Sequence, residues 1–131
     1  MARAEEVVRE ACQVIWTEGQ SDKVANYYAE NFEADYPFTN WGTGLAGVAA
    51  LADQVRIDLP GYTEHIEELI EADGEVAVRL RITGTNPRTG EPVSFRDMTM
   101  LTVVNGRITR QRGLTDHLSI FKQLGIKTIP D

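Results

Sequence analysis

Two neighbouring residues, Asp116 and His117, stand where a strand-like stretch, RQRGLTD, runs into a helical one, LSIFKQLG. A carboxylate and an imidazole are among the side chains most used to move protons in catalysis. Asp116 has two readings. It can cap a helix that begins at Leu118. It can also end a core strand, because strict alternation puts Ile108, Arg110, Arg112, Leu114 and Asp116 on one face. Ile108 and Leu114 suggest that this face points inward. A carboxylate buried in an apolar cleft has its pKa raised and becomes a usable acid or base. His117 falls on the other face by alternation, but alternation often fails at a strand end. There it could orient Asp116 or shuttle its proton.

A further carboxylate, Asp97, shares a face with Phe95 and Leu101 and is a candidate for burial. Tyr36, Asn40 and Trp41 come from an extended stretch and the loop after it. They are candidates to shape a pocket and donate hydrogen bonds. Arg112 could hold an anionic substrate group or stabilise an enolate, or it could pair with Asp97 or Asp35. Asp35 and Phe95 complete the candidate substrate contacts. Phe, Met, Leu and Trp dominate the inferred lining, which suits a mostly apolar, aromatic or polycyclic small molecule.

Other motifs carry less. GTGLAG, residues 42–47, matches G-x-G-x-x-G and opens a helix, but the dinucleotide fingerprint needs a βαβ unit, and antiparallel hairpins follow here. The expectation is a flexible loop over the cleft mouth, with Gly47 near the helix start. Cys12 reads as inert packing. No G-x-S-x-G nucleophile elbow is present. His65 and His117 are far apart and belong to no metal-binding spacing, so no metal site is expected. The acid-rich runs EEVVRE and EHIEELIEAD read as solvated faces.

The elements that must position these residues follow from periodicity and turn signals. Residues 3–18 form a helix with Val8, Ala11, Cys12 and Ile15 inward, stopped by Gly19. Ser21 is a plausible N-cap for a second short helix, with Val24 and Tyr27 or Tyr28 inward. NFEADYPF is extended, because Pro37 disfavours the α region for Tyr36. Residues 47–59 carry a helical apolar stripe. Strands are expected at 63–72, 76–85, 93–104 and 107–116, with Asp73-Gly74 and Asn105-Gly106 as hairpin turns. A short helix, 118–124, closes the chain.

This order is α+β, with helices on one face of a curved, mostly antiparallel sheet and a cleft between. Met98, Met100 and Val104 make the other face apolar as well. That face needs a partner, most simply a second copy of the chain, so a homodimer is expected.

The chain has 131 residues, and one domain spanning 1–131 is expected. Lys plus Arg is 13 against 20 Asp plus Glu, a net charge of −7 that repels phosphate backbones and anionic lipids. Neither nucleic acid nor membrane is an expected partner. One cysteine excludes an intrachain disulfide. MARAEEVVREA lacks the apolar core of a signal peptide, and no apolar run approaches the roughly 20 residues of a membrane span. The chain reads as cytoplasmic.

The segment NGRITRQRGLTDHLSIFKQLG resembles the C-terminal signature of SnoaL-like proteins, the polyketide-cyclase branch of the NTF2-like superfamily. That signature has DG-K-I on a strand, an Asp eight residues after the Ile, and LL-QLG on the closing helix. Ile108, Asp116 and Gln123-Leu124-Gly125 match it. EVAVRLRITGTNPRTGEPVSFRDMTM resembles the preceding hairpin, and LPGYTEHIEELI the boundary between helix and sheet. The resemblance covers almost the whole chain. It implies a cone-shaped α+β barrel with one deep pocket per chain, usually dimeric, needing no metal or organic cofactor. It also implies that the carboxylate at Asp116 moves a proton in an intramolecular aldol closure. The chain departs from the family at Arg112, where a Trp is common. It also has Arg79-Leu80-Arg81 where the limonene-epoxide-hydrolase branch has Arg-x-Asp, which disfavours epoxide hydrolysis.

The expected function is therefore proton-transfer chemistry beside a carbonyl or phenol: cyclisation, isomerisation, dehydration or retro-aldol cleavage. Asp116, His117 and Asp97 are the candidate catalytic residues. A ligand-binding or dimerisation module without chemistry is the alternative, and a cofactorless hydroxylase is a further one.

Overall fold

A computed structural model describes residues 3–128; the outermost residues of the expected 1–131 domain lie outside the described residues. Helix α1 (Ala4–Ala11) buries Val7, Val8 and Ala11 and continues as a π-helical turn, Cys12–Thr17, that buries Ile15 and Trp16. A 3-10 helix, Ser21–Asn26, buries Val24. Ser21 does not cap it; its hydroxyl instead donates to Asp53 at 2.7 Å. Strand β1 (Tyr28–Asp35) follows, then helix α2 (Gly44–Asp58), which starts three residues before the apolar stripe predicts. Strands β2 (Thr63–Ala72), β3 (Glu75–Thr85), β4 (Pro92–Val104) and β5 (Arg107–Thr115) lead to helix α3 (His117–Leu124). Among the described residues no helix is long and apolar enough to cross a membrane.

The hairpins sit where the turn signals put them. Asp73, Gly74, Asn105 and Gly106 all have positive φ, between 51° and 81°, as a two-residue turn of this kind requires. The strands form one five-stranded sheet in the order β1-β5-β4-β3-β2. The β2–β5 ladders are antiparallel and β1 joins β5 in parallel, so the sheet is mixed. It stays open, with β1 and β2 as its edges, rather than closing into a barrel. Val8, Ile15, Val48 and Ala52 from the helices pack on Val76, Val78, Leu101 and Ile108 from the sheet.

Two bulges decide which side chains face this core. In β5, Val103 pairs with Ile108 and Thr102 with Arg110, so Thr109 is an extra, unpaired residue. Alternation slips by one there. Ile108 is buried, but beyond Thr109 it is Gln111 that points inward, while Arg110 and Leu114 are exposed. The inward face expected for Arg112, Leu114 and Asp116 is thus the outer face. In β2, Ile66 pairs with Leu80 and Glu68 with Arg79, which makes Glu67 the extra residue. Before that bulge the inward residues are Tyr62, Glu64 and Ile66.

Candidate active site

A cavity of about 780 Å³ lies between the sheet's inner face, α2, α3 and the loop after β1. Its apolar wall comes from Trp16, Leu51, Val55, Ile82, Phe95 and Ile120. The polar groups of the sheet come from positions that alternate inward: Tyr62 just before β2, Glu64 on β2, Asp97 on β4, and Gln111 and Thr115 on β5; Asp58, Asn86 and Arg88 add to the lining from outside the strands.

Asp97 pairs with Thr115 in the β4–β5 ladder, and the Thr115 hydroxyl donates to Asp97 Oδ1 at 3.2 Å. Burial raises the Asp97 carboxyl to about 6, against the downward pull of the Thr115 and Tyr36 hydroxyls. Tyr36 lies over β5 because Gly113 has no side chain: a Cβ there would come 2.7 Å from the tyrosine ring. Gln111 Nε2 donates to Tyr36 Oη at 3.0 Å, and Tyr36 Oη donates to Thr99 Oγ1 at 2.6 Å. Burial, with Asp97 nearby, raises the Tyr36 phenol and keeps it un-ionised. Trp41 stacks on Tyr36, ring centres 5.2 Å apart. The GTGLAG loop serves that packing. A Cβ on Gly47 would come 2.1 Å from the Trp41 carbonyl, so only glycine lets α2 begin so close beneath it.

Glu64 is the residue that the acid-rich reading of EHIEELIEAD conceals. Tyr62 Oη donates to Glu64 Oε2 at 2.8 Å. Burial raises the Glu64 carboxyl to about 7, more than the Tyr62 and Cys12 donors lower it, with Asp97 adding a further upward push. Alternation of Glu64 with the apolar Tyr62 and Ile66 is the sequence signal that could have found it.

Two buried side-chain atoms have no hydrogen-bond partner among the described residues, Trp41 Nε1 and Gln111 Oε1. Both belong to residues that line the cavity. His117 also lines it, near the rim, with Nδ1 3.2 Å from the Thr115 carbonyl and its ring edge-on to the exposed Phe38. Asn40 reaches the cavity mouth while its Oδ1 accepts from the Gly42 amide at 2.9 Å. No group of three or more metal-ligating side chains gathers among the described residues.

Asp116, Arg112 and Asp35 lie elsewhere. Asp116 is exposed and accepts from the Ser119 amide at 3.1 Å, so it caps α3. His117 therefore has no buried Asp116 to orient. Arg112 lies on the outer face, bonded to Thr102 Oγ1 at 3.1 Å and Glu75 Oε2 at 3.3 Å rather than to Asp97 or Asp35. Asp35 is an exposed edge residue opposite Arg112 in the β1–β5 ladder. The Thr109 bulge accounts for both placements on β5.

The profile of the SnoaL-like polyketide cyclase family matches residues 6–124. This chain belongs to the SnoaL-like polyketide cyclase family. A protein from Acidithiobacillus ferrooxidans, provisionally named a polyketide cyclase, superposes with a TM-score of 0.87 at 20% identity over 97% of each chain. A SnoaL-like polyketide cyclase from Agrobacterium tumefaciens gives 0.79 at 20% identity, covering 95% of this chain and 100% of its own. A Bacillus cereus protein, also provisionally named a polyketide cyclase, gives 0.79 at 27% identity over 87% and 75%. No curated protein matches the chain. The cone of helices on a curved sheet is the NTF2-like fold of these relatives, here with its sheet open.

Proposed function

We propose that this SnoaL-like protein is a cyclase or isomerase that moves a proton at a carbon beside a carbonyl or phenol of an aromatic or polyketide-like substrate. The observation that carries this reading is Asp97. It is a carboxylate in a largely apolar cavity, raised to about 6 by burial, with a hydroxyl donor and no cationic partner. A general base works best with a pKa near the operating pH. A binding module would gain nothing from burying a carboxylate without a cation, since such a charge is costly.

In an aldol closure Asp97 takes the proton from the carbon beside the carbonyl. The C–H electron pair becomes the enolate double bond, and the carbonyl π pair moves to the oxygen. The enolate carbon then attacks a second carbonyl, and protonated Asp97 returns its proton to the resulting alkoxide. Phe95, Tyr36 and Trp41 hold the flat substrate. Asp116 has no part in this chemistry.

The test is a pair of isosteric variants assayed on an aromatic polyketide-like ketone, with thermal melting as the folding control. Asp97→Asn is expected to lose about 10²–10⁴-fold in turnover. Asp116→Asn keeps the cap, because asparagine caps about as well as aspartate, and is expected to turn over at the wild-type rate. A fast Asp97→Asn with a dead Asp116→Asn reverses the assignment.

A further inference from the structure

We propose that Glu64 is the second proton-transfer group of this cavity, the acid that protonates the substrate oxygen while Asp97 takes the carbon proton. The inference rests on Asp97 as base and adds its partner.

The sheet register places the two carboxylates. Glu64 stands opposite Ile82, Ile82 opposite Phe95, and Asp97 lies two residues further along β4. The two groups are therefore on alternate strands and on the same face, and both line the cavity. Two strand spacings of about 4.8 Å and two residues of about 3.4 Å separate their Cα atoms by about 12 Å. Both side chains line the cavity, and a separation of this order accommodates the flat carbonyl edge of a substrate between them. The ion pairs among the described residues all use other carboxylates: Glu5, Glu6, Glu67, Glu68 and Glu75. A buried carboxylate without a cation is neutralised by a proton or by its ligand.

The groups that act on Glu64 are all neutral or acidic. Cys12 comes from the π-helical turn, Tyr62 from just before β2, Tyr28 from β1, Tyr36 from just after it, and Asp97 from β4. Burial raises the Cys12 thiol and the Tyr62 phenol as well, so both stay un-ionised and serve as donors. Burial raises both carboxyls, and Asp97 pushes Glu64 further up, so where the pair holds one proton Glu64 carries it and serves as the acid, with Asp97 as the base.

The step balances. Asp97 takes the carbon proton, and the C–H pair becomes a carbon–carbon double bond. The carbonyl π pair moves to oxygen, which forms an O–H bond as the Glu64 O–H bond breaks. A neutral enol results, with Asp97 protonated and Glu64 ionised, so one carboxylate is present before and after. The Tyr62 and Cys12 donors stabilise the carboxylate left on Glu64.

Two measurements test this. Carbon-detected NMR titration of the intact protein is expected to show Glu64 titrating near neutrality. In Asp97→Asn its midpoint is expected to move down, because a like charge has gone. A Glu64 midpoint near the ordinary value of 4.5 overturns the proposal without any substrate. The second measurement is hydrogen–deuterium exchange at the α-carbon of 2-tetralone, a fused aromatic ketone. Wild type is expected to give a bell-shaped pH profile, its acid limb from Asp97 and its alkaline limb from Glu64. Glu64→Gln is expected to lose the alkaline limb and about 10²-fold in rate. Glu64→Gln with the full bell and the wild-type rate overturns Glu64 and leaves Asp97 standing. Asp97→Asn at the wild-type rate with a slow Glu64→Gln overturns the base and leaves Glu64 as the working group.

Discussion

The two faces of the same sheet treat carboxylates in opposite ways. On the outer face Glu67 lies between Arg79 and Arg96, with N–O distances of 3.6 and 2.9 Å, and Glu75 meets Arg112 at 3.3 Å. Hydrogen bonding to Arg96 holds Glu67 below its usual range, fully charged and open to solvent. On the inner face Asp97 and Glu64 take part in no ion pair among the described residues, and burial raises both. The chemistry of the side chain is the same, so the difference is environmental. A carboxylate that is only a surface charge is left wet and paired. A carboxylate buried away from any cation is raised toward neutral pH.

The outer face also carries apolar surface. Met98 is 57% exposed, Leu114 69% and Ile70 68%. Met98 pairs with Leu114 in the ladder, so these side chains adjoin. We propose that a second copy covers them. Leu114→Glu is then expected to abolish the dimer outright while leaving the inner face unchanged. Light scattering at micromolar concentration checks it, and a wild-type mass of one chain, about 15 kDa, removes the proposal.

The inner face makes a prediction of opposite sign to common acid denaturation. Asp97 and Glu64 bind their protons more tightly in the fold than in the unfolded chain, where 3.8 and 4.5 are ordinary. The stability they contribute is full below about pH 4 and is lost as pH rises through about 6 for Asp97 and about 7 for Glu64. Asp97→Asn is therefore expected to be more stable than wild type at about pH 8, by up to about 3 kcal/mol, and little different at about pH 4. Denaturant melts at the two pH values give the comparison. A wild type that is the more stable protein at the higher pH breaks the contrast between the faces.

The smallest effect belongs to the outer ion pairs. Arg96→Gln removes a solvent-exposed pair whose attraction water and salt already screen. Its melting temperature is expected to stay within experimental scatter of wild type at physiological salt. A resolved drop places the outer carboxylates in the same energetic class as the inner ones.

Most of the fold was legible because its signals are local. Asp73-Gly74 and Asn105-Gly106 set two hairpins, and helical spacing from Val8 to Ile15 placed the first helix. The site was less legible because its facing depends on bulges. From Ile108 onward, alternation without Thr109 aims Arg110 and Arg112 at the core, and two arginines on a supposed core face already conflicted with that register. Asp97 is buried as its alternation with Phe95 and Leu101 predicted, since β4 runs unbroken through its length up to Thr102. Glu64 was hidden by composition: the other acids of EHIEELIEAD, Glu67, Glu68, Glu71 and Asp73, are exposed, and Glu64 alone lines the cavity.

The parallel pairing of β1 with β5 bears on how the site comes into being. Tyr28 meets Ile108 and Asp35 meets Arg112, with most of the chain between them. Contacts between such distant segments close late, because the loop entropy of everything between them opposes their meeting. The antiparallel hairpins β2–β3 and β3–β4 need only short loops and can form while the chain is still being synthesised. Gln111 and Thr115 are set in the cavity by the local β4–β5 hairpin, but Tyr36 reaches them only once β1 has docked on β5, so the last wall of the site to assemble is expected to be the one that Tyr36 and Trp41 supply.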